Sequence, residues 1–437
     1  MTDPITEIPA VVDRLRAAFR DGRTKPSAWR REQLVALRTM LREQESAFLD
    51  ALHADLRKNA AEARRTELDF VCNEVDHTLA HLESWIAPED APLPDKLLPG
   101  RGSVVREPLG LVLVIGPWNY PLQLVLAPLV GALAAGNGVV LKPSELAPET
   151  AAAIARFVPR YLDPDGVAVV EGAIPETTAL LEQRFDHIFY TGNGVVGRIV
   201  MTAAAKHLTP VTLELGGKSP VIVDSDVDLA VVAERIVNGK FLNAGQTCVA
   251  PDYVLAVGDT AAKLEPLLAE ALHAKFGDDP ADSPAYGRII NHRHFDRLSG
   301  LLAGGRVVTG GQTDRDAKYI APTVLADVQP DAPVMAEEIF GPILPVIAVP
   351  DLDAAIAFVT ARDKPLALYA FTESDQSKRR ILDETSSGAV GFGLPVVHLT
   401  APDLPFGGVG ESGMGRYHGK YSIDTFSHLK AVLDKPL

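Results

Sequence analysis

From Pro108 to Leu141 the chain carries not one charged side chain. A run that long belongs in a bilayer or in the interior of a large protein, since about 20 apolar residues suffice to cross hydrocarbon. The turn chemistry inside the run decides between the two. Gly116-Pro117-Trp118-Asn119-Tyr120-Pro121 and Gly136-Asn137-Gly138 are breakers, and Pro128 interrupts the middle. The pieces between them are too short to span. They read as a strand from Leu111 to Ile115, a helix from about Leu122 to Ala135 and a strand from Val139 to Leu141, all buried in a soluble core.

The same alternation continues. Pro148 to Tyr161 reads as a helix, Val167 to Val170 as a strand, Thr177 to Leu181 as a short helix, His187 to Tyr190 as a strand, Val195 to Lys206 as a helix and Val211 to Leu215 as a strand. Near-continuous apolar strands separated by helices imply a parallel sheet covered on both faces, the doubly wound α/β class. A second unit starts near Gly216. Its helices are expected at Asp226–Asn238, Ala261–Phe276 and Ala354–Ala361, its strands at Tyr253–Val257, Val346–Val349 and Leu368–Phe371. A Gly-rich run from Phe406 to Gly419 closes it. Ahead of both units the first hundred residues read as helical, with Leu34, Leu37 and Leu41, then Phe48, Leu52 and Leu56, on one apolar stripe. A Pro-rich run, Ala87 to Pro94, follows as a connector.

The length of 437 residues allows two or three such units. With 57 Asp+Glu against 42 Lys+Arg and a net charge of -15, the chain lacks the cationic face of a duplex-DNA or anionic-membrane binder. The N-terminus has no basic segment followed by an apolar one, so a cytoplasmic protein without a membrane anchor is expected. Two cysteines cannot build a disulfide framework or a four-cysteine zinc site, and neither His-Glu-x-x-His nor C-x-x-C is present, so no metal is expected.

Two runs match the G-x-G-x-x-G dinucleotide pattern. Gly192-Asn193-Gly194-Val195-Val196-Gly197 follows a strand and opens a helix, and Glu214 lies about 20 residues on, where a ribose-binding carboxylate would sit. Gly408-Val409-Gly410-Glu411-Ser412-Gly413 matches as well, without a clear strand before it. Each is equally readable as a tight turn. Lys142 and Glu145 have the better position. They follow the strand after the first crossover, where a ribose lies in a doubly wound sheet, so Glu145 could accept from its hydroxyls and Lys142 donate to them. Ser144 and Glu145 are also suited simply to capping the next helix.

The cysteines differ. Cys72 lies in a helical stretch among Glu67, Asp69 and Glu74, whose charge raises a thiol pKa, so it reads as structural. Cys248 lies between a helix and a strand in Asn243-Ala244-Gly245-Gln246-Thr247-Cys248-Val249-Ala250-Pro251, among small residues that let a ligand approach. Local sequence leaves it either a small buried hydrophobe or a nucleophile. No P-loop or G-x-S-x-G elbow competes with it. A thiolate beside a dinucleotide-type sheet can add to an aldehyde, and the resulting tetrahedral carbon can release hydride to a nicotinamide.

Taken together, Gly116–Pro121, Leu141–Glu145, Tyr190–Asn193, Leu213–Lys218, Gly245–Cys248, Glu338–Pro342 and Leu404–Gly408 resemble the aldehyde dehydrogenase superfamily, in its motif order and from about residue 30 to the end. The continuation Cys248 to Tyr253 and the run Gly413 to Gly419 resemble its shorter class 3 branch, which includes enzymes of fatty and aromatic aldehydes. The resemblance implies two doubly wound parallel-sheet domains plus a small oligomerisation arm. The cofactor domain would be 1–86 with 106–213, the catalytic domain 214–418, and the arm 87–105 with 419–437. It places Cys248 as nucleophile, Glu214 as general base rather than ribose ligand, and Asn119 as side-chain donor to the oxyanion. Lys142 and Glu145 fall on the adenosine ribose, Gly192 and Asn193 near the cofactor phosphates, and Glu338 and Phe340 on the nicotinamide half, with Trp118 a further cofactor contact. Trp118, Tyr120 and Phe392 are also candidates for the walls of an aldehyde tunnel.

The implied reaction is NAD- or NADP-dependent oxidation of a hydrophobic aliphatic or aromatic aldehyde to the free acid, in a homodimer. A thiohemiacetal and then a thioester form on Cys248, and Glu214 activates the hydrolytic water. A CoA-acylating enzyme is disfavoured by Glu214, and a non-catalytic scaffold by the intact Cys248, Glu214 and Asn119. Two positions depart from the pattern. Gly194 stands where the family usually carries a side chain, which weakens the expected phosphate contact, and Gly391-Phe392-Gly393 stands where an asparagine is expected.

Overall fold

The computed structural model describes residues 4–436. The alternation read from the apolar runs builds a six-stranded sheet. Its order is Gly413–Met414, Val211–Glu214, His187–Thr191, Leu111–Ile115, Gly138–Lys142 and Val167–Val169. All are parallel except Gly413–Met414, which runs antiparallel to Val211–Glu214. Both faces are covered, as a run of consecutive apolar residues demands. Val112 and Val114 join one core with the helix Gln123–Ala135, while Leu111, Leu113 and Ile115 join another with Ile8, Val12 and Leu15 of the first helix. Every residue of Gln123–Ala135 is buried, and Pro128 lies within the helix without ending it.

The second unit is a seven-stranded sheet ordered Arg306–Thr309, Thr323–Ala326, Ile343–Val349, Tyr253–Val257, Pro220–Val223, Ala367–Phe371 and Ala389–Phe392. Only the edge strand Arg306–Thr309 is antiparallel. The last, Ala389–Phe392, matches the strand that the resemblance puts at Gly391-Phe392-Gly393; three others, Arg306–Thr309, Thr323–Ala326 and Pro220–Val223, are not read from the sequence. Each is only four residues long and gives periodicity little to work with.

A third sheet joins Glu89–Ala91, Arg101–Pro108 and Ser427–Asp434, all antiparallel. The Pro-rich run read as a connector therefore contains a strand. Ser427–Asp434 is the edge of this sheet and exposes Leu429 and Leu433. Among the described residues no helix is long and apolar enough to cross a membrane.

Lys142, Thr191 and Glu214 end three strands of the six-stranded sheet on the same side, the carboxyl end, where a ligand crevice forms in an open α/β sheet. Cys248 and Glu338 lie in loops that precede Tyr253–Val257 and Ile343–Val349, so the second sheet contributes through its amino ends.

Candidate active site

The loop before Cys248 is bent hard. Asn243, Ala244 and Gly245 are all left-handed, with φ of 51°, 52° and 75°. Two residues with a Cβ in that region store strain, which a surrounding network must hold. Gly245 has no alternative, because a Cβ there would collide with the carbonyl of Gly341. This close approach ties the Gly245–Cys248 motif to the Glu338–Pro342 motif.

The network is visible. The Nε2 of buried Gln246 donates to the carbonyls of Asn243 (3.0 Å) and Arg288 (2.9 Å), while its Oε1 accepts from the Ile290 N–H at 3.0 Å. The Asn243 N–H donates to Glu62 Oε1 at 2.9 Å. Asn119 Nδ2 donates to the Gln246 carbonyl at 3.0 Å, and Asn243 Nδ2 donates to the Asn119 carbonyl at 2.7 Å. The Tyr120 hydroxyl meets Thr247 Oγ1 at 2.7 Å. The segments around residues 119 and 248, far apart in sequence, are thus laced side by side.

Cys248 is half-buried. Burial pushes its thiol up to about 12, and the carboxylates of Glu338 and Glu214 add to this, while N–H bonds from Cys248 and Val249 pull the other way. Glu214 is 2% exposed, and neither carboxyl oxygen has a hydrogen-bond partner. Burial alone pushes its pKa well above the carboxylate range. Glu338 rises to about 8, first through burial and then through Asp252, against the Gly217 N–H, Lys218 and Lys240. Its carboxyl lies where a Cβ on Gly216 would be, two residues past Glu214. Phe340 is left-handed (φ 51°) and meets Trp118 edge-on at 5.3 Å between ring centroids; Trp118 also packs on His294 at 5.1 Å. The structure therefore brings Asn119, Cys248, Glu214 and Glu338 together, with Trp118 and Phe340 as an aromatic pair.

The remaining candidates form a second group. Lys142 is buried at its strand end, and its Nζ donates to the Pro143 carbonyl (2.7 Å) and lies 3.5 Å from the half-exposed carboxylate of Glu145. Burial lowers the Lys142 pKa, and Glu145 opposes this. Gly192 lies against the Tyr190 ring, where a Cβ would collide with the hydroxyl. The Asn193 side chain is committed to capping the helix Gly194–Ala205 through the Val196 N–H at 3.0 Å.

The second glycine run pairs with the strand that carries Glu214. A Cβ on Gly413 would collide with the Leu213 carbonyl, so this glycine permits the antiparallel pairing beside Glu214. Cys72 is buried, and burial raises its thiol more than Asp69 and Asp76 do.

A scan against family models matches residues 5–432 to the aldehyde dehydrogenase family. The chain belongs to that family. It is 53% identical over 431 residues to aldehyde dehydrogenase family 3 member B1 of Bos taurus, covering 99% of this chain and 92% of that one. Identity is 49% over 433 residues to a Canis lupus familiaris protein named aldehyde dehydrogenase, dimeric NADP-preferring, with 99% and 96% covered. The solved substrate-bound state of Staphylococcus aureus AldH superposes with a TM-score of 0.97 at 44% identity, covering 100% of this chain and 95% of the other. The chain is thus an aldehyde dehydrogenase of the class 3 branch, a family that oxidises aldehydes with NAD or NADP.

The residues present fit such a cofactor. A groove between the helices Ile174–Leu181 and Gly194–Ala205 is lined by Leu181, Arg198, Ile199 and Thr202, with apolar Ile199 exposed. The Gly216 backbone carries no side chain where the Glu338 carboxyl approaches.

Sequence reasoning missed three residues of the site. Lys58 and Glu67 are an ion pair without solvent exposure, and the Lys58 Nζ donates to the Asn119 carbonyl at 3.0 Å. Glu62 holds the Asn243 N–H. All three come from a segment rich in Arg and Glu, which reads as a solvated helix surface.

Proposed function

We propose that Cys248 is the nucleophile, Glu214 the base and Asn119 the oxyanion donor in oxidation of a hydrophobic aldehyde to the free acid. The observation that carries this reading is the state of Glu214: buried, unpartnered and close enough to Cys248 to perturb its thiol. Burial raises the proton affinity of a carboxyl placed so above that of an ordinary one, which suits a group that takes a proton, whereas in a merely structural role it would be an uncompensated cost.

Cys248 gives up its proton to solvent water and its sulfur bonds to the aldehyde carbon, giving a thiohemiacetal whose oxygen carries the negative charge. The oxyanion forms against the Asn119 amide and the Cys248 N–H. NAD or NADP, when bound, supplies the acceptor for the hydride that leaves this carbon. The carbon is left as a thioester on Cys248. Glu214 takes a proton from water, which attacks the thioester; the C–S bond breaks and the acid departs. Lys142 and Glu145 would hold the adenosine ribose, Gly192 and Asn193 border the phosphates, and Glu338, Phe340 and Trp118 hold the nicotinamide half. The cap bond occupies the Oδ1 of Asn193, so any side-chain contact to a phosphate would come from its Nδ2.

The domain assignment belongs to the same proposal. Residues 1–86 and 106–213 carry the cofactor, 214–418 the chemistry, and 87–105 with 419–437 the arm. The unpaired edge of Ser427–Asp434 suits contact with a second copy in a homodimer, and the relative named dimeric supports it. A cytoplasmic setting is expected from the sequence.

Cys248→Ala should abolish NAD(P)H formation from an aldehyde, read by absorbance in folded protein; retained turnover would sink the reading. Added CoA should leave the product a free acid, because Glu214 serves hydrolysis. An acyl-CoA product would favour the acylating alternative.

A further inference from the structure

We propose that Lys58 is a positioning residue for aldehyde oxidation, acting through the main chain of Asn119, with Glu67 holding its charge in the interior. The inference rests on the oxyanion role proposed for Asn119.

Lys58 is 1% exposed and Glu67 is 0% exposed. The Lys58 ammonium pairs with one Glu67 oxygen, donates to the Asn119 carbonyl at 3.0 Å and lies 3.9 Å from the centroid of the Tyr120 ring. The other Glu67 oxygen accepts from the N–H groups of Leu122 (3.1 Å) and Gln123 (2.9 Å), at the start of the helix Gln123–Ala135. One buried pair thus grips four of the five positions from Asn119 to Gln123, two through each partner.

Stability does not explain such a pair. Taking two charges out of water costs about as much as their attraction returns, and apolar side chains of the same volume fill the space at least as well. Geometry does explain it. The Asn119 carbonyl accepts from both Lys58 and Asn243, so the peptide plane cannot rotate without breaking one of the bonds. A fixed plane fixes the origin of the Asn119 side chain, whose amide must point at the developing oxyanion. Lys58 also presses on the Tyr120 ring, whose hydroxyl reaches Thr247, the neighbour of Cys248. The donor and the nucleophile are thereby held in register from a third segment of the chain. Misplacing a reacting group by about 1 Å can cost on the order of 100-fold in rate.

The test uses Lys58→Met/Glu67→Gln, which removes both charges together and leaves an amide oxygen to accept from Leu122 and Gln123. With folding checked by circular dichroism and thermal melting, the rate of NAD(P)H formation per site should fall roughly 10- to 100-fold. The aldehyde KM should change little. Asn119→Ala alone should lose roughly 100- to 1000-fold. In the Asn119→Ala background the two substitutions should cost no more than about twofold further, since the group they position is gone. A wild-type rate in the folded double variant would overturn the inference. So would its full factor multiplying onto Asn119→Ala, because Lys58 would then act elsewhere. If Asn119→Ala itself oxidises aldehyde at the wild-type rate, the oxyanion reading fails first, and that measurement stands apart. Should the neutral pair not fold, Lys58→Arg keeps the charge but moves the donor, and a wild-type kcat there would overturn the inference equally.

Discussion

Glu67 and Glu214 are both carboxylates with almost no solvent contact, 0% and 2% exposed, yet their surroundings are opposite. Glu67 has a lysine and two backbone N–H groups on its oxygens. Glu214 has nothing on either. A buried carboxylate normally recovers its lost hydration through such partners. The first has recovered it and is fixed in place. The second has not, and keeps an unspent affinity for a proton. Within one site, full satisfaction goes with the group we propose to hold geometry, and its absence with the group we propose for chemistry.

The sharpest break would come from Glu214→Gln. It removes a proton acceptor while leaving shape and burial nearly unchanged. Steady-state turnover should fall roughly 100- to 10,000-fold, the usual span for a lost general base. A first burst of NAD(P)H, about one per site, should remain, because thioester formation precedes hydrolysis. The urea midpoint should not fall. A variant that turned over normally would put Glu214 in the same class as Glu67 and erase the contrast.

Glu67→Ala should do the reverse. It strands the Lys58 ammonium without its counter-charge and leaves two helix N–H groups open. Removing one member of a buried pair costs roughly 3–5 kcal/mol. Equilibrium unfolding in urea should register that loss directly. A change under about 1 kcal/mol would mean that the pair is hydrated in solution and that satisfaction does not separate the two carboxylates.

The contrast was only half legible in the sequence. Glu214 stands inside an apolar strand, Val211 to Leu215, where a charge is conspicuous. The apolar strands Leu111–Ile115 and Tyr253–Val257 were legible for the same reason, since burial on both faces writes itself into consecutive residues. Lys58 and Glu67 leave no such mark. They sit among Arg57, Arg64 and Arg65, and what draws them inward is the backbone at residues 119–123, which the local sequence does not mention. Arg101–Pro108 and Ser427–Asp434 were missed on similar grounds. Ser427–Asp434 is mostly solvent-facing and Arg101–Pro108 only half-buried, and they pair with each other across more than three hundred positions. Interior positions set by one element's own period are readable; those set by a distant partner's needs are not.

Glu338 lies between the two extremes and yields the smallest effect. It has one N–H from Gly217 and the pull of Lys218 and Lys240, yet burial and Asp252 still push it up to about 8 from an ordinary 4.5. A carboxyl whose folded pKa is raised favours the folded state while protonated. That contribution is complete below the unfolded value and is lost as pH climbs from there through the folded one. Glu338→Gln carries no such penalty. Its urea midpoint relative to the parent should therefore improve steadily between about pH 5 and about pH 7, a window inside the two pKa values. Lys240, lowered to about 8 by burial, titrates above that window and largely cancels in the difference. A difference that stayed flat with pH would mean that Glu338 is already paid its hydration by the N–H and lysine contacts, as Glu67 is, and would move it to the satisfied side of the comparison.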